Sequence, residues 1–404
     1  MDTRLKLKAR WVFPVDRPPI ENGIVEIASG IILDVRAAEP FESATDLGDV
    51  AILPGLVNAH AHLEFSLLEQ PLEPALPFTS WIRSLVAYRR STLPPDGDKK
   101  QTALATGLNE AAASGTTLIG DIATEGWSRC AFGGEGPRVI SFRELIGLRP
   151  ETVESQLAIA QTSLTNQPSG LSPHAPYSVS PELLARLIEL ARKHNAPIAM
   201  HLAETRAEQE FLSAGTGEFV EMLKSFGAWP DGGLPLDRRP MDILRMLADS
   251  PRALIVHGNY LSADEIDFIA NRPHMSVVYC PRTHDYFQHQ PHPWQRLIDK
   301  GAQIALGTDG RGSNPDLSLW NELIFLRERF PNVAPQRLLE LGTVAGARAL
   351  GHEGNCGTLT AGKRADLIVA RITNSSAKQE PHETLFTPQS SIFCTMISGH
   401  LAVR

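Results

Sequence analysis

The segment from residue 54 to residue 62, Pro-Gly-Leu-Val-Asn-Ala-His-Ala-His, decides how the rest of the sequence is interpreted. Its apolar residues, with residues 51–53 before them, predict a short buried strand. The strand ends in His60 and His62, which are separated by one residue. In an extended chain such residues point to the same face, so both imidazoles can reach one point. Because neutral imidazole is the commonest metal ligand in proteins, the pair indicates a candidate metal site.

The middle of the chain alternates strand-like apolar runs with helix-like segments. Eight runs predict strands, at residues 52–58, 116–121, 138–142, 170–174, 197–201, 253–257, 276–280 and 303–307. Helical patterns between or after them cover residues 102–114, 151–164, 181–194, 263–271, 294–300, 317–329 and 335–350. Eight strands that alternate with helices predict an α/β fold, a (β/α)8 barrel of the TIM type. In that fold the functional groups lie at the carboxyl ends of the strands.

The two ends of the chain have a different pattern. Residues 1–50 contain short alternating strand patterns separated by turn residues, and the C-terminal residues return to the same style. We therefore predict a small composite β-sandwich domain built from residues 1–50 and 355–404, attached to a barrel of residues 51–354. Two long segments interrupt the barrel pattern, at residues 63–95 and 215–249. Long loops in compact domains are usually functional, and the first is a candidate lid or substrate wall.

Composition excludes several classes of protein. The 404 residues carry a net charge of −8. This argues against a nucleic-acid partner, because a protein that binds nucleic acid needs a basic face. The first residues lack the apolar core of a signal peptide, and no apolar run reaches the length of a membrane span. We therefore expect a cytoplasmic protein without a membrane partner. The four cysteines, Cys130, Cys280, Cys356 and Cys394, are too far apart to indicate a thiolate zinc site or a disulfide framework.

More side chains that can bind a metal follow the later predicted strands. His201 ends the fifth strand and Glu204 follows it, His257 ends the sixth, and Asp309 comes directly after the eighth. Each residue alone would be unremarkable, but together they predict one site at the same end of the barrel. A mixed set of nitrogen and oxygen ligands suits Zn²⁺ first, with Fe²⁺ and Mn²⁺ as alternatives. Such a cation would lower the pKa of a bound water toward ~7 and so produce a nucleophile.

Several motifs in this sequence are those of one known family. They are PGLVNAHAHL (54–63), SPHAPYS (172–178), HLAET (201–205), HG (257–258), CP (280–281), GTDG (307–310) and GTLTAGKRADL (357–367). With them the sequence resembles the amidohydrolase superfamily over nearly its whole length. Within it, the sequence is similar to the aminohydrolase group of triazine hydrolases, S-adenosylhomocysteine deaminases and guanine and cytosine deaminases.

The resemblance implies one divalent metal ion, held by His60, His62, His201 and Asp309. A single ion is favoured because no lysine stands at the end of the fourth strand, where binuclear relatives carry one. Glu204 is implied as the proton shuttle between the attacking water, a ring nitrogen and the leaving ammonia. His257 is implied either to orient the water and polarise the oxyanion or to act as a ligand, and Asp309 to accept a proton as well.

Six further residues are candidates for contact with substrate: His174, Glu64, Trp81, Arg143, Arg282 and His284. The group uses the histidine of SPHAPYS in this way, which implies the same for His174. Glu64 and Trp81 would supply a polar and an aromatic wall. The remaining three follow the third and seventh strands and would bind a polar or anionic group.

The leading functional hypothesis is hydrolytic deamination of an amino-substituted N-heterocycle, with release of ammonia. Adenosine-type nucleosides, including aminodeoxyfutalosine-like compounds, are one candidate class of small-molecule substrate. The alternative is a chlorohydrolase or a cyclic amidohydrolase that uses the same metal. A purely structural zinc and a non-catalytic assembly protein are more remote alternatives. A homodimer is expected because dimers are common in the group.

Overall fold

The computed structural model describes residues 4–95, 97–128, 136–166, 169–234, 237–372 and 380–403. Within these residues the chain builds two eight-stranded sheets, a mixed sheet from both termini and a parallel sheet from the middle. Cys130 lies outside the described residues, and Cys280 and Cys356 are buried free thiols. In the described part of the chain no helix is long and apolar enough to cross a membrane.

The N-terminal strands begin the mixed sheet. They are β1 (Leu5–Val12), β2 (Ile20–Ala28), β3 (Ile31–Ala37), β4 (Thr45–Asp46) and β5 (Val50–Pro54). The first three pair antiparallel, with Leu7 opposite Val25 and Val25 opposite Val35. These aligned apolar side chains share one face of the sheet and are buried in its core.

The barrel strands follow one another in sheet order. They are β6 (Leu56–Ala61), β7 (Thr116–Ala123), β8 (Arg138–Leu145), β9 (Gly170–Pro173), β10 (Ile198–Leu202), β11 (Ala253–His257), β12 (Met275–Tyr279) and β13 (Gln303–Leu306). Each pairs parallel with the next, and a parallel bridge between Ala61 and Asp309 links the last strand to the first. Val57, Ala199 and Val256 are among the small and branched residues buried in the core. The strands therefore close around a packed interior.

The helices cover the barrel strands or stand in the long insertions. They are α1 (Phe78–Thr92), α2 (Asp98–Ala113), α3 (Val153–Asn166), α4 (Pro181–His194), α5 (Arg206–Ala214), α6 (Glu218–Ser225), α7 (Pro240–Leu247), α8 (Ala263–Ala270), α9 (Pro281–Tyr286), α10 (Trp294–Asp299), α11 (Leu319–Arg329), α12 (Pro335–Glu340) and α13 (Gly346–Leu350). The ends of α4 follow from sequence. The Ser180 hydroxyl accepts a hydrogen bond from the Leu183 backbone, and Asn195 ends the helix in the left-handed conformation.

The C-terminal strands complete the mixed sheet. They are β14 (Leu367–Arg371), β15 (Ser391–Ile397) and β16 (His400–Val403). β14 pairs antiparallel with β5, with Val369 opposite Ile52, so both ends of the chain share one sheet. The predicted barrel and the composite β-rich part from both termini are therefore confirmed. The domain limits at residues 50 and 355 stay predictions.

Two predicted elements are divided in the structure. The strand expected over residues 52–58 is split at Gly55, because Pro54 still pairs with β14 whereas Leu56 begins the barrel. A Cβ atom on Gly55 would lie 2.2 Å from the Thr117 hydroxyl oxygen, so a larger residue does not fit this crossing point. The helix expected over residues 335–350 is divided into α12 and α13 by a π-helical turn, Leu341–Ala345.

The two long insertions contain helices rather than loops alone. The first carries α1, and the second carries α6 and α7. α1 and α6 meet where the Thr79 hydroxyl donates a hydrogen bond of 3.0 Å to the Glu218 carboxylate. α1 and α6 line the outer part of a cavity at the carboxyl end of the barrel.

Candidate metal centre and active-site cavity

β6 delivers two imidazoles to the carboxyl end of the barrel. His60 and His62 are buried, and their ring centroids lie 4.9 Å apart. The carbonyl oxygen of His60 accepts hydrogen bonds of 3.1 Å from the backbone N–H groups of Thr308 and Asp309. The Asn58 side chain adds a 2.7 Å bond to the Thr308 hydroxyl. The ends of the first and last strands are thus tied together, which places the segment after β13 beside the two histidines.

Asp309 and His201 face the same point. The Asp309 Oδ1 atom lies 3.5 Å from Nε2 of His60 and 3.4 Å from Nε2 of His62. Nε2 of His62 lies 3.4 Å from Nε2 of His201, which ends β10. The Ser313 hydroxyl donates a 2.8 Å hydrogen bond to the other Asp309 oxygen and so orients the carboxylate.

This arrangement fits a divalent metal ion. The ligand atoms of His60, His62 and His201 lie within 4.8 Å of one another. Nε2 of His60 is buried and has no hydrogen-bond partner among the described residues. Nδ1 of His201 donates a 2.9 Å hydrogen bond to the carbonyl of His174, which leaves Nε2 free to bind a metal. Imidazole nitrogens and carboxylate oxygens are both ligands that divalent transition metals bind in proteins.

The electrostatics of the ligands agree with this role. Burial lowers the pKa values of His62 and His201 well below the usual range, so both imidazoles are neutral, as metal binding requires. Burial alone would raise the pKa of Asp309, but the imidazoles that face it, those of His60, His62 and His257, lower it. Asp309 therefore stays anionic beside the candidate ligands.

Glu204 and His257 lie beside this cluster. Oε1 of Glu204 is 3.4 Å from Nε2 of His257, and both side chains are buried. Burial raises the pKa of Glu204, and the carboxylates of Asp309 and Glu208 raise it further. A carboxyl group with a raised pKa can both accept and release a proton near neutral pH. Burial lowers the pKa of His257, so its imidazole is neutral.

The backbone at these strand ends has an uncommon conformation. Ala203, His257 and Asp309 have φ values of +54°, +70° and +58°. These values lie in the left-handed region, which residues other than glycine rarely adopt. Such residues persist only where the surrounding structure holds them, and they occur mainly at functional sites. The three lie directly beside, or are themselves, the candidate functional residues.

A cavity of about 380 Å³ opens over the cluster. His62, His201, Glu204, His257 and Asp309 line its inner end. Its outer part is lined mainly by apolar side chains from α1, α6 and the residues that follow them: Phe78, Trp81, Ile82, Leu85, Val86, Met222, Leu223, Phe226 and Ala228. A pocket of this size with a few convergent polar groups suits a small-molecule ligand.

A family model described as the amidohydrolase family matches residues 51–402. The chain belongs to the amidohydrolase family. The 5-methylthioadenosine/S-adenosylhomocysteine deaminase of Moorella thermoacetica is 30% identical over 407 residues, which cover 94% of this chain and 87% of that protein. The aminodeoxyfutalosine deaminase of Nitratiruptor is 29% identical over 333 residues, which cover 78% of each protein.

Solved structures show the same fold. An adenosine deaminase of Xanthomonas campestris with bound zinc has a TM-score of 0.80 at 23% identity, covering 98% of this chain and 92% of that chain. The aminofutalosine deaminase of Helicobacter pylori has a TM-score of 0.85 at 20% identity, covering 99% and 100%. The predicted family, fold and hydrolase class are confirmed by these matches and by the family model.

Two of the six residues that were predicted to contact the substrate line the cavity of this amidohydrolase. His174 lies at its inner end, where burial lowers the pKa of the imidazole to about 3 and keeps it neutral. Its Nδ1 atom lies 2.7 Å from the Ser178 hydroxyl, which leaves Nε2 for a ligand. Trp81 stands on α1 with its indole N–H bonded to the Gly312 carbonyl at 2.8 Å. Its ring is thereby fixed as part of the aromatic wall.

Glu64 does not line the cavity. Its buried carboxylate accepts hydrogen bonds from Arg89 at 2.6 Å and from the Thr124 hydroxyl at 2.7 Å, and it lies 3.1 Å from the buried ammonium of Lys100. Arg89 lines the cavity instead and also lies 3.4 Å from the Glu144 carboxylate. Glu64 thus orients Arg89, a residue of the long insertion that sequence reasoning did not find.

On β8 the residue that faces the cavity is not the predicted Arg143 but the next residue, Glu144. Glu144 lines the cavity, whereas Arg143 lines a separate cleft with Trp127 and Ser141. Neighbouring residues of a strand point to opposite faces, so the two side chains cannot both face the site. The two-residue period of a strand, which puts Glu144 on the face of the apolar Phe142 and Arg143 on the face of Ser141, was the available signal for choosing Glu144.

Arg282 and His284 also lie outside the cavity. The Arg282 guanidinium binds the Asp316 and Glu322 carboxylates at 2.6 and 2.7 Å. His284 donates from Nε2 to the carbonyl of Gln290 at 2.8 Å. Both groups are already satisfied by partners within the protein, so the expectation of substrate contact finds no support in their positions.

Proposed function

We propose that this amidohydrolase is a metal-dependent deaminase that hydrolyses the amino group of an adenosine-type nucleoside and releases ammonia. The observation that carries the proposal is the position of Glu204, a buried carboxyl group with a raised pKa that lies beside the four candidate ligands and lines the cavity. The names of the relatives, deaminases of methylthioadenosine, S-adenosylhomocysteine and aminodeoxyfutalosine, support the choice of substrate class.

We assign the metal to His60, His62, His201 and Asp309 and favour zinc. The nitrogen-rich donor set supports that metal, as does the zinc in the Xanthomonas structure. When bound, such a cation lowers the pKa of a water molecule toward ~7 and supplies a nucleophile near neutral pH.

Glu204 would move the protons of the reaction. Its carboxylate takes one proton from water as the water oxygen bonds to the ring carbon that carries the amino group, and it delivers this proton to the adjacent ring nitrogen. The second proton of the water, accepted by Asp309 or Glu204, passes to the amino nitrogen. The carbon–nitrogen bond then breaks, ammonia leaves, and the ring keeps a carbonyl oxygen.

His257 and His174 would hold the reacting groups in place. The neutral His257 imidazole, 3.4 Å from Glu204, can orient the attacking water and polarise the developing oxyanion. His174 presents its second ring nitrogen to the cavity from the end of β9, and this position suits contact with the heterocycle.

The rest of the cavity supports a nucleoside with an apolar substituent. Arg89 and Glu144 supply a donor and an acceptor for hydroxyl groups. Beyond them, Leu85, Leu223 and Phe226 form an apolar wall that suits an uncharged group such as methylthio. We therefore place 5′-methylthioadenosine first among the candidate substrates.

The test is ammonia release from a panel of compounds by zinc-loaded and iron-loaded protein. The panel contains 5′-methylthioadenosine, adenosine, S-adenosylhomocysteine, guanine, cytosine and a chlorinated aminotriazine. We expect release from the adenosine-type compounds and a fall in kcat of about 10³-fold in Glu204→Gln, because general acid–base catalysis contributes that order of magnitude. Glu204→Gln keeps the size of the side chain and removes its ability to shuttle protons.

Glu210→Gln is the matched control. Glu210 is an exposed residue of α5 that accepts a hydrogen bond from the Thr216 hydroxyl, and the variant should keep the full rate. Chloride release from the triazine without ammonia release from any nucleoside would replace the deaminase proposal by the chlorohydrolase alternative. Full activity of Glu204→Gln would remove Glu204 from the proton path.

A further inference from the structure

The carboxylate of Glu208 is bound to the backbone beside Glu204. The side chain is fully buried, and its two oxygens accept hydrogen bonds from the N–H groups of Ala203 at 2.7 Å and Glu204 at 2.9 Å. Glu208 stands in the first turn of α5, where its own N–H donates to the Thr205 hydroxyl at 3.0 Å. In a capping box the glutamate bonds to the N–H of the capping residue, here Thr205. Glu208 reaches further back, to the turn between His201 and Glu204.

This buried carboxylate has no cation beside it. Among the described residues Glu208 takes part in no ion pair, and beyond the effect of burial the neighbouring carboxylate of Glu265 raises its pKa further. Burial raises the pKa of Glu208 to about 7, while the two backbone donors favour the charged form. Burying a carboxylate is costly unless hydrogen bonds compensate it. The compensation here comes from the backbone of the turn that carries Glu204.

That turn is one of the uncommon conformations at the site. Ala203 has φ +54°, so the chain leaves β10 in the left-handed region before it reaches Glu204. A β-carbon makes this conformation unfavourable, and it persists only where other contacts hold it. The bonds from Ala203 and Glu204 to Glu208 lie directly at this position.

A second set of contacts holds the same turn from the opposite side. The Asn259 side-chain amide donates a 3.0 Å hydrogen bond to the carbonyl of Glu204. The N–H of Tyr260 bonds to the carbonyl of Ala203 at 3.0 Å, and that of Gly258 to the carbonyl of Leu202 at 3.0 Å. The loop that carries His257 is therefore joined to the loop that carries Glu204.

We infer that Glu208 and Asn259 are positioning residues for Glu204: they hold the N–H and the carbonyl of that residue and so set its carboxyl group against the reacting atoms. Neither side chain lines the cavity, so both act through the backbone. This inference rests on the proposed role of Glu204 as the proton shuttle.

The test is a double-mutant cycle between Glu208→Gln and Glu204→Gln, measured on 5′-methylthioadenosine or the best compound of the panel. The glutamine keeps the size of Glu208 but turns an NH₂ group toward one of the two N–H donors. We expect kcat to fall about 10- to 100-fold with little change in KM, because a small displacement of a catalytic group costs about that much. Asn259→Ala should act in the same direction with a smaller effect.

The cycle separates positioning from general damage. If Glu208 acts through Glu204, adding Glu208→Gln to the Glu204→Gln protein lowers the residual rate by no more than about twofold. Damage to the fold or to the metal site would lower that residual rate as much as it lowers the rate of the wild type. Equal losses in both backgrounds, or an unchanged kcat in Glu208→Gln, would overturn the inference.

Two further readouts do not depend on turnover. Metal content should stay near one ion per chain in Glu208→Gln. The amides of Ala203 and Glu204 should exchange hydrogen at least about 10-fold faster, because their acceptors are weakened. Unchanged exchange would contradict the inference even if no tested compound is a substrate. Glu210→Gln on the same helix is the control for both readouts, and full activity of Glu204→Gln would instead refute the proposed function.

Discussion

The inner end and the outer wall of the cavity are built in different ways. The inner end comprises His60, His62, His201, Glu204 and Asp309. These residues lie on or close after β6, β10 and β13, whose mutual positions are set by parallel pairing and by the bridge between the first and last strands. Backbone hydrogen bonds between neighbouring strand ends hold the groups further.

The outer wall comprises Trp81, Leu85, Arg89 and Phe226 from the inserted segments, together with Glu144 of barrel strand β8, whose carboxylate lies 3.4 Å from Arg89. Three of these stand on α1, an inserted helix that belongs to no strand–helix repeat of the barrel. α1 is joined to the second insertion by side-chain contacts, such as the hydrogen bond between Thr79 and Glu218.

The difference separates chemistry from substrate choice. A group at a strand end moves only if the sheet moves, which suits metal ligands and a proton shuttle that need positions set to fractions of an ångström. An inserted helix can change its side chains without disturbing the sheet. We therefore expect changes at the inner end to lower kcat and changes in the outer wall to raise KM.

Loss of a proposed metal ligand should have the largest effect. His201→Ala removes one of the three imidazoles that converge on the proposed metal position. The variant should therefore bind less metal. We expect kcat to drop by about 10³-fold or more, since the ion is worth several kcal/mol to the transition state. Chelation of the wild type should give the same loss, and added zinc should restore only the wild type. A full rate in protein shown to be free of metal would contradict the assignment of the inner end.

A change in the outer wall should affect KM instead. Glu144→Gln keeps the shape of the side chain but removes the charge that faces Arg89, at 3.4 Å in the structure. Loss of one charge-assisted hydrogen bond to substrate costs about 1.5–3 kcal/mol, so KM should rise about 10-fold or more with kcat nearly unchanged. Arg143→Gln is the matched control, because Arg143 faces away from the cavity. An equal effect of the control, or a loss confined to kcat, would break the proposed division between inner end and outer wall.

The inner end could be predicted from the sequence because its signals are local. Each of its residues ends or follows an apolar run, and the barrel pattern brings all strand ends to one face. The structure places His60, His62, His201 and Asp309 around one point, as the motifs imply.

The outer wall could not be predicted in the same way, because its geometry depends on contacts between distant segments. Arg89 lines the cavity with its guanidinium bound to the carboxylates of Glu64 and Glu144, which lie far from it in the sequence. Arg282 has the residue type of a substrate contact but is bound by Asp316 and Glu322, which follow it by more than thirty residues. Nothing in the local sequence separates these two arginines.

The smallest expected effect is on how the free energy of unfolding depends on pH. It concerns His292, which lies next to the inner end of the cavity. Nε2 of His292 donates a 2.8 Å hydrogen bond to the carbonyl of His257, whose φ is +70°. Burial lowers the pKa of His292 to about 3, which is below the value near 6.5 expected in the unfolded chain. The folded state therefore disfavours the protonated form. The contribution of the neutral His292 side chain to stability is complete above pH 6.5 and is lost as the pH falls toward 3.

His292→Gln should flatten this dependence. Between about pH 6.5 and pH 4, wild-type unfolding takes up as much as one extra proton at this site, which corresponds to about 1.4 kcal/mol per pH unit. The free energy of unfolding of metal-free protein, measured by denaturant titration across this range, should have a smaller slope against pH in the variant. His400→Gln, at an exposed position of β16, should leave the slope unchanged. An identical slope in His292→Gln would mean that the acid sensitivity arises from the other buried histidines, among them His62, His174 and His201.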